Sequence, residues 1–161
     1  MPRPTFEGTS EGRRRNMVAN RSTDTKPELV VRRMLHAAGY RYRIHRQDLP
    51  GKPDLVFPSR RAVVEVRGCF WHHHGCFPLG QMPRTRPEYW VPKLAANKAR
   101  DARNLEALAA GGWRVIEVWE CDVRADPDGV VARLREFLGP PGATAGTAAS
   151  RPRSPGPSPA A

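Results

Sequence analysis

Asp54-Leu-Val-Phe-Pro-Ser-Arg-Arg-Ala-Val-Val-Glu-Val-Arg67 holds two short apolar, β-branched runs, Asp54 to Phe57 and Ala62 to Val66, around the turn Pro58-Ser59-Arg60-Arg61. Runs of this kind bounded by turn residues predict a β-hairpin. Side chains alternate across a strand, so Glu65 and Arg67 share one face of the second run, and the neighbouring strand can bring Asp54 close to Glu65. Charged groups two apart in an otherwise apolar strand ask for a chemical reason.

Helical patterns flank the hairpin. Thr25-Lys26-Pro27-Glu28 has capping-box spacing before Leu29, Val30, Val31, Met34 and Leu35, and Gly39 is a stop. Tyr40 to His45 alternates like a strand. Glu88 to Ala110 reads as a second helix with Leu94, Ala95, Leu105 and Leu108 inward, ended by Gly111-Gly112; Pro92 is tolerable only near its first turn. Trp113 to Trp119 is a buried-strand candidate, and Gly129 to Leu138 a closing helix. The expected fold class is α/β, a sandwich of a few strands between helices.

The chain has 161 residues, 39% of them hydrophobic, which suits one domain with a modest core. Residues 1–20 are polar and basic, with Arg13-Arg14-Arg15, and read as a flexible arm; 21–138 form the folded domain; 139–161, rich in Pro, Gly, Ala and Ser, read as a disordered tail. The net charge of +11 points to a polyanionic partner, nucleic acid before membrane. No apolar run approaches the ~20 residues of a membrane span. With no secretory h-region at the N-terminus, a soluble cytoplasmic, nucleoid-associated protein is the expectation.

Gly68-Cys69-Phe70-Trp71-His72-His73-His74-Gly75-Cys76 packs thiols, imidazoles and large aromatics into one loop. Three cysteines are an odd count and exclude a complete disulfide framework. Zinc takes thiolate and imidazole in a closed tetrahedron when its role is structural. Cys69, Cys76 and the distant Cys121 can supply three ligands and one histidine of the triplet the fourth. The bland alternative is three buried free cysteines beside an exposed histidine loop. Their placement at loop and strand ends, away from any apolar helix face, weighs against it.

Hydrolysis of a phosphodiester needs a metal to activate water and stabilise the leaving oxygen. Mg²⁺ wants oxygen ligands and keeps several waters, so Asp54 and Glu65 suffice, with Arg67 able to hold the phosphate. Pro53-Asp54, ten residues, then Glu65-x-Arg67 is similar to the Pro-Asp…Asp/Glu-x-Lys signature of restriction-endonuclease-like nucleases, with Arg for Lys. Alone that pattern is weak, since a turn aspartate and an exposed strand-edge ion pair produce it often.

The whole set resembles the very short patch repair endonucleases, the Vsr family. The matching strings are Asn16-Met17, Leu49-Pro-Gly-Lys-Pro-Asp54, Gly68-Cys-Phe-Trp-His-His-His74, Cys76, the segment ending Glu88-Tyr89-Trp90, and Gly112-Trp-Arg-Val…Val-Trp-Glu-Cys121, in family order over residues 16 to 123. The resemblance implies a restriction-endonuclease-like three-layer sandwich with a mixed central sheet, a structural Zn²⁺, and Mg²⁺-dependent nicking of one strand beside the thymine of a T:G mismatch left by 5-methylcytosine deamination. It implies Asp54 as the metal-binding aspartate, His72 as the catalytic histidine, and a metal contact from the Val66 carbonyl. Cys69, His74, Cys76 and Cys121 match the zinc ligands. Phe70, Trp71 and Trp90 match aromatics that enter the base stack, with Met17 and Arg13, Arg14 and Arg15 on an arm that clamps the opposite groove. Arg84, Arg86, Lys93, Lys98, Arg100 and Arg103 can extend the basic surface.

Two points depart from or compete with that pattern. The best-known members carry other residues at positions 65 and 67, including a histidine where Arg67 stands, so Glu65 as an added metal ligand and Arg67 as a phosphate ligand are expectations for this chain. Glu28 matches a family glutamate near the metal waters, yet it also completes the capping box. Implied partners are double-stranded DNA with a T:G mismatch, a cytosine-5 methyltransferase acting in the same cell, and other mismatch-repair proteins; a single nick needs only a monomer. Two rivals stay open, a restriction-like nuclease with no mismatch preference and a non-catalytic zinc-stabilised DNA-binding module.

Overall fold

The computed structural model describes residues 23–84 and 86–142. Met17 and Arg13 to Arg15 lie outside them. In chain order the elements are α1 (Lys26–Ala37), β1 (Leu55–Phe57), β2 (Ala62–Arg67), α2 (Pro87–Ala110), β3 (Arg114–Trp119), α3 (Glu120–Ala125) and α4 (Pro127–Leu138). The hairpin forms as expected. β1 runs antiparallel to β2 with Leu55 opposite Val64 and Phe57 opposite Ala62, through a single turn of 3-10 helix at Pro58–Arg60. β3 adds in parallel on the other side of β2, so the sheet is mixed, in the order β1-β2-β3.

Alternation along β2 builds two cores. Ala62, Val64 and Val66 meet Leu55 and Phe57 of β1, Val118 of β3, Val31 and Leu35 of α1, Val123 of α3, and Val130, Leu134 and Leu138 of α4. On the opposite face Val63 and Val56 pack with Leu108 of α2, Leu49, Trp113 and Val115. The sheet thus lies between α2 and a layer of three helices. Each fully buried Val or Leu contributes roughly 1.5–3 kcal/mol by leaving water. Because both faces of β2 are covered, all six of its residues are buried, Glu65 and Arg67 among them.

Several expectations need correction. Tyr40 to His45 makes no strand. Tyr40 and Tyr42 do point alike, each edge-on to Phe57, but only Arg43 pairs, exchanging two 2.8 Å hydrogen bonds with Val56. β1 is too short to carry more, and the chain turns away at His45 with φ 54°. β3 is half-buried, with only Val118 fully enclosed. The capping box does not close as such: the Thr25 hydroxyl donates to Glu28 at 2.8 Å, and Glu28 accepts from the Asp24 N–H at 2.9 Å. Arg32, one turn on and buried, holds the same carboxylate at 3.1 Å. In α2, Ala95 is exposed, and the inward stripe runs Leu94, Asp101, Leu108. α4 starts earlier than expected, at Pro127, because the Asp126 side chain caps the Gly129 N–H at 2.9 Å.

Candidate functional site

Glu65 and Arg67 project from β2 toward α2, and the parallel register sets Glu117 of β3 directly beside Glu65. Arg67 is the hub of this face. Its Nε donates to Glu117 Oε1 at 3.0 Å, and its Nη1 lies 3.5 Å from Asp101 Oδ1 and 3.9 Å from Glu65 Oε2. The third nitrogen, Nη2, is buried without a hydrogen-bond partner.

The Leu49–Pro53 turn delivers Asp54 to the same region. Gly51 and Lys52 both take positive φ, 72° and 54°, and the Lys52 N–H closes on the Leu49 carbonyl at 3.2 Å. A Cβ at position 51 would meet Asn104 Nδ2 at 2.7 Å, so only glycine lets the turn sit against α2. Asp54 Oδ2 then accepts the Val66 N–H at 2.7 Å, which ties its carboxylate to the main chain of residue 66.

These acids are short of countercharge. Burial pushes Asp54 up to about 6, opposed by the Val66 N–H and reinforced by the charge of Glu28. Burial pushes Glu65 up to about 7, with Arg67 opposing and Asp54, Glu117 and Asp101 adding to the rise. Buried, oxygen-only donors that resist ionisation suit a hard divalent cation, and a cation would reverse the shift. Among the described residues they do not form a closed cage, which suits an ion that keeps water.

His72 stands on the other side of Arg67. Its Nδ1 lies 2.5 Å from Asp101 Oδ2, and its main-chain N–H bonds to the Gly68 carbonyl at 3.2 Å. Burial lowers its pKa, the Asp101 bond works against that, and Arg67 and Arg100 add to the lowering. The imidazole is therefore neutral near pH 7. With Nδ1 held by the carboxylate, Nε2 is the nitrogen able to take a proton. Asp101 was absent from the sequence expectations. An acid on the apolar stripe between Leu94 and Leu108 was its one available signal.

The four expected zinc ligands converge. One donor atom each from Cys69, His74, Cys76 and Cys121 lie within 4.8 Å of one another. The Cys121 N–H reaches Cys69 Sγ at 3.3 Å, and Cys121 Sγ is 3.4 Å from His74 Nδ1. The Cys121 Sγ–His74 Nδ1 distance matches an edge of a tetrahedron of Zn–S and Zn–N bonds, roughly 3.3–3.8 Å, and thiolate with imidazole is the donor chemistry zinc takes. Cys69 is fully buried and its thiol is pushed up to about 12, chiefly by burial, so a cation is what would make it a thiolate. Cys121 comes from the start of α3, a short helix the sequence reading did not foresee.

Phe70, Trp71 and Trp90 form one half-buried cluster, with centroids 5.0 Å (Phe70–Trp71), 5.2 Å (Phe70–Trp90) and 6.1 Å (Trp71–Trp90) apart. Tyr89 joins Trp90 at 5.0 Å, and the Lys93 ammonium sits 5.8 Å from both tryptophan rings. Asn97 Nδ2 bonds to the Trp71 carbonyl at 3.1 Å, fastening this cluster to the helix that carries Asp101.

Residues 7–78 match the family model described as DNA mismatch endonuclease Vsr. Over 130 residues the chain is 56% identical to the Type II nicking enzyme V.XorIIP of Xanthomonas oryzae pv. oryzae, covering 81% of this chain and 94% of that one. Over 137 residues it is 39% identical to the DNA mismatch endonuclease Vsr of Escherichia coli, covering 83% and 87%. The chain belongs to the Vsr endonuclease family.

Vsr membership makes it a DNA endonuclease, and it carries the restriction-endonuclease-like fold with which the mixed sheet between helices agrees. Of the expected site residues of this Vsr chain, Asp54, Glu65, Val66, Arg67 and His72 are linked around the end of β2 directly or through Asp101, and the charge of Glu28 acts on Asp54. Phe70, Trp71 and Trp90 connect to the same helix through Asn97. No helix among the described residues is long and apolar enough to cross a membrane.

Proposed function

We propose that this chain nicks one strand of duplex DNA beside the thymine of a T:G mismatch by Mg²⁺-dependent phosphodiester hydrolysis. The observation that carries the chemistry is the half-buried His72–Asp101 pair across Arg67 from the Glu65 carboxylate, with Asp54 tied to Val66 beside it. Asp54, Glu65 and the Val66 carbonyl would hold the cation, with Glu28 bearing on it through Asp54. When bound, the cation polarises the phosphate and acidifies nearby water. His72 takes the proton of the attacking water at Nε2, and Asp101 fixes the ring tautomer that leaves Nε2 open. Arg67, whose buried Nη2 lacks a hydrogen-bond partner, would take a phosphate oxygen once DNA binding opens this face.

Zn²⁺ on Cys69, His74, Cys76 and Cys121 would fasten the loop carrying His72 to the start of α3, just past β3. Mismatch choice falls to Phe70, Trp71 and Trp90, since a mismatched step unstacks at lower cost than a paired one. The name of the Escherichia coli relative supports mismatch specificity, while the name of the Xanthomonas relative speaks of nicking alone. Met17 and the arginines at 13 to 15 would hold the other groove, with salt-sensitive affinity. The substrate ties the enzyme to a cytosine-5 methyltransferase, and a monomer suffices for one nick.

The test is nicking of labelled duplexes with T:G, T:A or C:G at one position, with Mg²⁺ and with EDTA. A T-strand nick with T:G and Mg²⁺ alone supports the proposal. Cleavage of all three duplexes supports the restriction-like reading, and no cleavage by zinc-replete protein across several flanking sequences supports the binding module.

A further inference from the structure

The sheet face that carries Glu65 and Arg67 contains a third charged group, Glu117, to which the hydrolytic scheme gives no part. Parallel pairing puts it beside Glu65, on the same face of the sheet. Two like charges side by side on neighbouring strands cost stability unless something separates them. Arg67 is what lies between. Its bond to Glu117 is short, 3.0 Å through Nε, and its approach to Glu65 is long, 3.9 Å through Nη1. A guanidinium with its Nε anchored cannot slide onto Glu65, and its Nη2 keeps its hydrogens free. Glu117 is about one-third exposed while Arg67 is nearly enclosed, so Glu117 meets this buried cation from the solvent side at lower desolvation cost.

Resting on the reading of Glu65 as a metal ligand, we propose that Glu117 is a positioning residue. It holds Arg67 off Glu65, so that the Glu65 carboxylate stays available to the divalent cation. Without Glu117, the Asp101 contact at 3.5 Å is the restraint left on Arg67, the 3.9 Å approach to Glu65 shortens, and the cation must compete with an arginine for its own ligand.

The experiment uses full-length, zinc-loaded wild type, E117A, E117Q, R67M and the R67M/E117A double variant. Mn²⁺ binding is titrated by calorimetry without DNA, and the Mg²⁺ dependence of T:G nicking is measured beside it. E117A should weaken Mn²⁺ binding and raise the half-saturating Mg²⁺ by about tenfold. E117Q, whose amide oxygen still accepts from Nε, should stay within about threefold of wild type, which a loss of folding could not produce. Adding E117A to R67M should change nothing further, because Glu117 acts through Arg67. Unchanged Mn²⁺ affinity in E117A overturns the inference, as does a full additional loss in the double variant. If the arginine variants do not fold, the contrast of E117A with E117Q decides. A wild type that nicks no duplex overturns the proposed function, while the Mn²⁺ titrations still judge the role of Glu117.

Discussion

His74 lies flat against Trp119, with ring centroids 4.1 Å apart and planes 6° from parallel. The imidazole whose Nδ1 faces Cys121 is thus braced by the last residue of β3, and Trp119 sets its orientation without donating a ligand. Groups that orient a metal ligand typically change affinity by about 10–100-fold when removed. Trp119→Ala should retain zinc as purified but surrender it to a chromophoric chelator at least about tenfold faster than wild type. Cys121→Ser should purify without stoichiometric zinc and melt on the order of 10 °C lower, since binding to a site absent from the unfolded chain is folding free energy. Equal chelation rates for Trp119→Ala and wild type would remove Trp119 from this role.

Asp101→Asn tests the pair that sets the histidine tautomer. The amide keeps size and a hydrogen bond but can present an N–H to Nδ1, which favours the wrong tautomer. Single-turnover nicking should fall by about 10²-fold, in the range of one general base, with little change in duplex affinity. A rate within about threefold of wild type would make Asp101 a purely structural partner of Arg67.

The carboxylates give the metal-free protein a pH dependence of definite sign. Folded Asp54 titrates near 6 and Glu65 near 7, above their ordinary values of 3.8 and 4.5. The folded state therefore keeps protons that the unfolded chain releases, and stability falls as pH rises from about 4 to 7. His72, lowered by burial, acts in the opposite direction below its ordinary 6.5. Asp54→Asn removes one carboxylate from the balance. In EDTA it should stabilise the protein at pH 8 by on the order of 2–3 kcal/mol, an effect fading toward pH 4. Urea denaturation at the two pH values measures it, and equal gains at both would contradict the assignment.

Trp71→Ala and Trp90→Ala should separate mismatch recognition from general DNA affinity. Stacking of a base on an aromatic ring is worth about 1–3 kcal/mol, so binding to a T:G duplex should weaken roughly 10–100-fold. Binding to the paired duplex, governed by phosphates, should change by less than about threefold. Parallel losses on both duplexes, read by fluorescence anisotropy at fixed salt, would return these rings to a packing role.

What could be read from the sequence follows from how local each signal is. The hairpin rests on contacts across a four-residue turn, and Cys69, His74 and Cys76 fall within one loop. Asp101 is 29 positions from His72, and no local pattern links them. Glu117 sits 50 positions from Arg67, and it takes the parallel register to bring them together. The alternation of Tyr40 and Tyr42 reported which way side chains point, not whether a backbone partner exists. Ala95 was misplaced because a small side chain fits either face of a helix, leaving Leu94 and Leu108 to set the stripe. Helix α3 escaped because Glu120–Ala125 is too short to show a period.

The parallel ladder of β2 with β3 joins Ala62 to Arg114 and Arg67 to Trp119, so it closes only after a long intervening chain has been made. A ribosome releases Asp54, Glu65, Arg67, His72 and Asp101 well before Glu117 and Cys121. On the proposed scheme the emerging polypeptide carries its metal-binding and proton-accepting groups while lacking β3, which seats Arg67, and Cys121 of α3, which completes the thiol set. The chemistry of that scheme requires the chain through Cys121, and a fragment ending before it should not nick DNA.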